Sequence, residues 1–391
     1  HPALCGDPTV LDVKADFLAT LEVCREVTLV PPDEQGRVSP EAVAALLNWY
    51  GANARDLPWR RTRDPYRVWI SEIMLQQTRV EAVKGYYDRF LAALPDVFAL
   101  AEVPEERLMK LWEGLGYYSR ARNLQKAARL VAEAGGTFPD TREGLLALPG
   151  VGEYTAGAVA SICFDRPCAA VDGNVLRVLS RLLAFDDDIM EQKTRRSVTE
   201  ALRAVYPSGE GAALLTEGIM ELGETVCIPS GEAKCSLCPL RTLCRAQKAG
   251  TVDRYPVKAA PKPRRIEERT VLLLRCGERW AIRRRAGKGL LAGLWECPNE
   301  PGALGADEAS ALIPGALHCA PCGEATHIFT HVEWHMHGWL IDCDGELPDC
   351  VWVTAAELGE VYPLPTAFRF FRKLLEREAG LEKASSVDKT T

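Results

Sequence analysis

From Pro40 onward, apolar residues recur every three to four positions. Val43, Leu46, Leu47 and Tyr50 share one face of a helix at that spacing. The same period predicts further helices at roughly 68–76, 79–94, 105–113, 119–134, 141–147, 153–164, 173–184, 193–205 and 210–224. Breaker signals such as Leu94-Pro95, Gly135-Gly136 and Pro207-Ser208-Gly209 separate them. Strand patterns are nearly absent before residue 265, so this part reads as all-α.

Residues 250–265 are rich in Pro, Lys and Arg, with little to bury, and read as a linker. Beyond it the texture changes. ERTVLLLRC, RWAIRRR, HIFTHVEWHMHGWLIDC and CVWVTAAEL read as strands, and 363–378 as a closing helix. The expected organisation has five parts: an extension at 1–38, a helical part at 39–250, a linker at 251–266, an α+β domain at 267–378 and a tail at 379–391. No function is assigned to 1–38, which lacks an initiator Met.

Composition changes this picture little: hydrophobic residues are 47% and charged residues 26%, as in an ordinary soluble protein. No run of about 18 apolar residues predicts a membrane span. The first residues lack a basic start and apolar core, so no secretory signal is expected. A cytoplasmic protein is expected, nucleoid-associated if bacterial. The net charge of −7 argues mildly against nucleic acid, but the charge is uneven. Residues 254–288 hold twelve Lys/Arg against three acids, and residues 300–391 hold fifteen acids against six bases. A basic stripe of that kind can bind DNA on an acidic protein.

Four segments carry candidate chemistry. In LPGVGEYTAG, Gly150, Val151 and Gly152 form a tight turn between two helix patterns, and the next glycine is out of register for a dinucleotide fingerprint. The turn suits backbone N–H groups meeting a DNA phosphate; the plainer alternative is an ordinary αα-hairpin. Cys227, Cys235, Cys238 and Cys244, four of 14 cysteines, are spaced C-x7-C-x2-C-x5-C. Four thiolates so placed could hold zinc or a [4Fe–4S] cluster, and a single CxxC with two flanking cysteines better suits the cluster. Glu72 sits among Trp69, Ile70, Ile73 and Met74, where burial would make it a proton donor near neutral pH. By pattern alone, a solvated place on the helix face is the favoured reading. Asp172, before Gly173, Asn174 and an apolar-periodic run, reads as an N-cap, as a carboxylate aimed into a cleft, or as both.

LPWR (57–60), DPYRVWISEIMLQQTRVEAV (64–83), LWEGLGYYSRARNL (111–124), LPGVGEYTAGAV (148–159), VDGNVLRVLSR (171–181), MELG (220–223) and the four cysteines jointly resemble the MutY-type branch of the helix-hairpin-helix DNA glycosylases. The likeness spans about residues 40–375. It implies a mainly α catalytic part with two helical lobes, one carrying a [4Fe–4S] cluster on the four cysteines. It also implies a C-terminal α+β, Nudix-like domain that reads 8-oxoguanine. The implied activity removes adenine mispaired with 8-oxoguanine, or less well with G, from double-stranded DNA, by a monomer.

By resemblance, Glu72 is the general acid and Asp172 the essential aspartate, with Asn174 beside it. Trp59, Arg60 and Glu221 map onto the pocket for the flipped adenine. Gln77 and Tyr117 match residues that wedge into the duplex, with Thr78 next to the first. Phe329, Thr330 and His331 stand where the family has the Phe-Ser-His loop that meets 8-oxoguanine; Thr keeps the hydroxyl and adds a methyl. Strand-cutting relatives place a Lys where this chain has Tyr154, so no Schiff base is expected and the reading is monofunctional.

Two features depart from the family. The first cysteine gap is seven residues where six is usual, which asks for a bulged loop, and the linker lacks the cysteines of the mammalian zinc site. Three competing readings stand beside the main one. The missing Lys opposes a bifunctional lyase, the two carboxylates oppose a non-catalytic DNA-binding module, and the lack of a REx2EE run opposes a nucleotide hydrolase.

Overall fold

The computed structural model describes residues 38–260 and 263–380. Most of the N-terminal extension, linker residues 261–262 and the tail beyond 380 lie outside the described residues. The chain forms two compact units. One takes the chain up to Glu102 together with Asn123–Ala260; the other takes Val103–Arg122 and the chain beyond Ala260.

The first unit is helical. Helix α1, Pro40–Asn53, starts where Ser39 Oγ accepts from Ala42 N at 3.3 Å. Its Pro sits in the first turn, where a missing N–H leaves no bond unmade. Helix α2, Pro65–Leu75, starts the same way, with Asp64 accepting from Arg67 N at 3.1 Å. Tyr66, Val68, Trp69, Ile70, Ile73 and Met74 are all buried, so α2 is apolar nearly all round and runs through the interior. There follow α3 (Val80–Ala93), α4 (Val97–Glu102), α5 (Glu105–Leu111, in the second unit), α6 (Ser119–Glu133), α7 (Arg142–Leu146), α8 (Glu153–Phe164), α9 (Gly173–Leu183), α10 (Gln192–Arg203), α11 (Glu210–Thr225) and α12 (Arg245–Lys248). The predicted helices are present within a few residues. Helices α4 and α12 were not predicted, because six and four residues are too few for a 3.6-residue period to show.

Helix α11 packs on α1, α8 and α9. Leu46 and Leu47 meet Leu176 and Leu179 of α9 and Leu215 and Ile219 of α11 in one apolar cluster. Gly223 makes the α9–α11 approach possible: a Cβ there would lie 2.8 Å from Asn174 Cβ. That contact helps fix where Asn174 stands.

The second unit is built on a seven-stranded sheet. Its strands are β1 (Arg265–Cys276), β2 (Arg279–Arg284), β3 (Trp295–Glu296), β4 (Asn299–Pro301), β5 (Ala316–Ile328), β6 (Val332–Cys343) and β7 (Val351–Val353). Their order is β3-β2-β1-β6-β5, with β4 on β1 and β7 on β2. Helices α13 (Ala306–Ala311), α14 (Ala355–Glu360) and α15 (Arg369–Glu378) complete it. Strand β1 pairs parallel with β6 and is covered on both faces: Val271 and Leu273 join Phe371, while Leu272 and Leu274 join Ile341. That explains its unbroken apolar run.

Three strand readings are corrected. HIFTHVEWHMHGWLIDC is not one strand, because the chain turns between Ile328 and Val332, with Phe329 N bonded to Val332 O at 2.8 Å. Its partner β5 went unseen, since ALHCAPCGEAT is too small and polar to show strand alternation. In CVWVTAAEL only Val351–Val353 is strand; a Thr354–Glu357 capping box then starts α14.

Candidate active site and nucleic-acid interface

A cleft of about 1020 Å³ opens in the first unit. Its lining brings together Trp59 and Arg60, Glu72 from α2, Gln76 and Gln77, Gly150 and Gly152 of the hairpin, Tyr154 from α8 and Asp172 and Asn174 at the start of α9. These come from segments up to about a hundred residues apart in the chain.

Glu72 is only 5% exposed, so the solvated reading of this position is corrected. The Tyr154 hydroxyl donates to Glu72 Oε2 at 2.6 Å. Burial pushes the Glu72 carboxyl up to about 7; the Tyr154 bond and Arg60 pull it down, while Asp172 and Glu217 add to the rise. It is therefore substantially protonated near neutral pH. Asp172 is both an N-cap and a cleft residue. Its Oδ1 accepts from Val175 N at 2.8 Å and its Oδ2 from Asn174 Nδ2 at 2.9 Å. Burial raises its carboxyl too, and these donors oppose the rise by favouring the ionised form. The cleft thus holds one carboxyl suited to giving a proton and one held by donors.

Residues 70–204 match the HhH-GPD superfamily of base excision DNA repair proteins, and residues 270–376 match the NUDIX domain. The adenine DNA glycosylase of Rattus norvegicus is 34% identical over 412 residues, covering 87% of this chain and 79% of that protein. The adenine DNA glycosylase of Homo sapiens is 35% identical, covering 78% of this chain and 67% of its own. That of Arabidopsis thaliana is 35% identical, covering 74% and 55%. The chain belongs to the adenine DNA glycosylase family.

In this enzyme Arg60 and Trp59 line the cleft, and Trp59 stands edge-on to Tyr87 with ring centres 5.5 Å apart. Glu221 is not among the cleft residues. It is fully buried and clamped by Arg55 Nε at 2.6 Å, Arg55 Nη2 at 2.7 Å and Arg60 Nη2 at 2.8 Å. It reaches the cleft only through Arg60. One turn earlier on α11, Glu217 does line the cleft and accepts from the Tyr50 hydroxyl at 2.9 Å. Burial raises its carboxyl as well. Sequence reading missed Glu217, whose signal was a second acid four residues before Glu221 on the same helical face.

Arg177 was also missed. It donates to Asn174 Oδ1, Gly223 O and Cys227 O, each at 2.8 Å. A chain of bonds therefore runs from the first cysteine to Asp172. Its signal was the i, i+3 spacing from Asn174 on α9. Cys227, Cys235, Cys238 and Cys244 line one small cavity together with Arg181. Lys234 N closes onto Val226 O at 3.0 Å and Gly231 turns with φ +77°, so the long first gap is taken up in a closed loop. Four soft thiols, with no carboxylate in the lining, suit iron–sulfur or zinc chemistry. Among the described residues, no three ligand-type side chains close on a single point to hold one ion.

At the hairpin Gly150 has φ +76°, and a Cβ there would meet Asn123 Cβ at 2.6 Å. Val151 is buried beneath it and Gly152 caps α8. Gln77 is exposed and held at φ +58°, a left-handed conformation that non-glycine residues seldom adopt; Thr78 follows it, half-buried.

In the second unit Tyr117 is likewise left-handed (φ +45°) and 51% exposed. Its hydroxyl lies 3.2 Å from Thr330 Oγ1. Thr330 and His331 form the exposed tip of the β5–β6 turn, and Phe329 packs edge-on against Trp334 with ring centres 5.0 Å apart.

Tyr154→Phe removes a donor that favours ionised Glu72. The alkaline limb of the pH–rate profile is expected to move to higher pH, with the rate at pH 7 changed by less than about tenfold. Single-turnover adenine release between about pH 5.5 and 9 checks this; an unmoved limb would separate Tyr154 from the proton donor.

Proposed function

We propose that this enzyme hydrolyses the N-glycosidic bond of adenine opposite 8-oxoguanine, or less well opposite G, in duplex DNA, and leaves an abasic site. One observation carries the reading: a buried Glu72, its carboxyl raised to about 7, and a donor-held Asp172 line the same cleft. Adenine is a poor leaving group. Once the base has left the stack, Glu72 gives its proton to N7 and neutralises the departing charge. The sugar becomes oxocarbenium-like, and the Asp172 carboxylate stabilises that cation until water attacks. Arg60 and Glu217 border the base. Gln77 and Tyr117 fill the gap left in the duplex, and the Phe329–Thr330–His331 tip reads the opposing purine. Tyr154 has no amine, so no Schiff base forms and the strand is not cut. We place the enzyme in the cytoplasm, acting as a monomer.

Cys227, Cys235, Cys238 and Cys244 would hold one [4Fe–4S] cluster, one thiolate to each iron. When bound it would cross-link the loop whose Cys227 carbonyl holds Arg177. The as-purified protein is expected to absorb near about 400 nm. Cys238→Ser should lose that band and melt at lower temperature; a full zinc complement with no such band would remove the cluster.

The function is tested by single-turnover assays on duplexes holding A:8-oxoguanine, A:G, A:T and thymine glycol, read with and without alkali. Adenine release from the first two, with strand cleavage only after alkali, is expected. Cleavage without alkali, or release only from thymine glycol, would overturn the reading. Thr330→Ala is expected to reduce the preference for 8-oxoguanine over G by about threefold to tenfold, consistent with one lost hydrogen bond.

A further inference from the structure

The cleft carries both signs of charge. Glu72, Asp172, Glu217 and Glu224 line it, and so does one side of α10. Helix α10 buries Thr194, Val198 and Leu202, and its remaining positions carry Lys193, Arg195, Arg196 and Arg203 against Glu200. Arg195, Arg196, Thr199, Glu200 and Arg203 line the same cleft as the other carboxylates.

Several other arginines of this unit are paired with carboxylates. Arg55 and Arg60 hold Glu221, Arg63 holds Asp165 at 2.9 Å, and Arg142 and Arg166 hold Glu153 and Asp140. Among the described residues, neither Arg196 nor Arg203 pairs with a carboxylate, and Arg195 donates to Ile189 O at 3.1 Å and, more loosely, to Met190 Sδ at 4.0 Å. Glu200 lies on the same helix and, among the described residues, forms no ion pair with them; three guanidinium groups against one carboxylate leave this wall net positive, and an anion entering the cleft is attracted to it. Guanidinium is also the side chain best shaped for phosphate oxygens.

We propose that this α10 wall seats the sugar–phosphate backbone of the strand that carries the extruded adenine. The proposal rests on the reading of the cleft given above. A deoxyribose facing Asp172 carries a phosphate on either side. Those acids that are ionised repel both phosphates, and the net positive α10 wall attracts them. Gly150 and Gly152 line the same cleft, so the hairpin backbone and α10 would grip one strand together.

The test is binding to an undamaged duplex and to an A:8-oxoguanine duplex across a series of salt concentrations. Arg196→Gln and Arg203→Gln are each expected to weaken binding several-fold and to flatten the slope of log K against log salt by about one. Arg196→Glu should weaken it further. The single-turnover rate at saturating enzyme should stay within about twofold of wild type, since these groups act on binding rather than on the chemical step. Lys126→Gln, on an exposed α6 lysine away from the cleft, should leave the slope unchanged. Arg196→Lys keeps the charge and should keep the slope, which serves if the glutamine variants fold poorly. Wild-type slopes and affinities in the Arg196→Gln, Arg203→Gln double variant would overturn the proposal. If adenine release fails in the wild type while these slopes change, the substrate reading falls and the phosphate wall stands.

Discussion

Glu72→Gln is expected to lose adenine release by at least about a thousandfold while still binding DNA, and to be more stable than the wild type at pH 8. Both effects come from one carboxyl. Glutamine has no proton to give to N7, and general acids typically contribute about a hundredfold to ten-thousandfold. Its amide oxygen can still accept from Tyr154, so the site keeps its shape. The stability sign follows from the raised carboxyl. Glu72 moves from 4.5 to about 7 on folding, so the folded state holds a proton that the unfolded state has released. That contribution is fully present below about pH 4.5 and is lost as pH rises through about 7. Gln removes the dependence. Its advantage should therefore grow between pH 4.5 and 7 and level off above, reaching roughly 3 kcal/mol at most. Chemical denaturation at pH 5 and pH 8, beside single-turnover assays, checks both halves. A variant that releases adenine at near wild-type rate would remove Glu72 as proton donor.

Asp172→Asn is expected to fold normally and lose roughly three orders of magnitude in single-turnover rate. Asparagine caps a helix about as well as aspartate, so the bond from Val175 N survives. The second oxygen, which accepts from Asn174 Nδ2, becomes an amide or must rotate, at a cost of about 1 kcal/mol. What disappears is the negative charge facing the sugar. Asp172→Ala is the companion variant: it loses charge and cap together and should melt lower than Asn by about 1 kcal/mol. Equal rates in Asn and wild type would leave Asp172 as a cap and nothing more.

Much of this was legible in the sequence, for local reasons. Helices such as α1 showed because they bury one stripe at a 3.6-residue period, and Asp172 showed because a cap precedes its helix. Glu72 was the harder case. Its neighbours at i±1 to i±3 are apolar, but the residues that bury it come from α8 and α11, which no local pattern reports. For the same reason Glu217 went unremarked beside Glu221: two acids four apart share a helical face, and only tertiary contacts decide that Glu221 meets Arg55 and Arg60 while Glu217 lines the cleft. The β5 strand was hidden because its burial comes from α13 and its pairing with β6, not from its own alternation. Arg196 and Arg203 drew no reading from the sequence, because only the folded cleft brings them onto its lining.

The grouping of Val103–Arg122 with the C-terminal residues bears on how the molecule is made. Glu113 Oε1 accepts from Leu364 N at 3.0 Å and Arg372 Nη1 at 2.6 Å, and Lys110 Nζ reaches the Leu358 carbonyl at 3.3 Å. During synthesis this segment leaves the ribosome about 250 residues before those partners do. The N-terminal half must therefore mature with an unfinished piece in its middle, and residues of α15 and the segment before it complete it. A nick in the Pro-rich linker would leave the two fragments sharing one unit, each owning part of its contacts, so they should co-purify until denaturant is added.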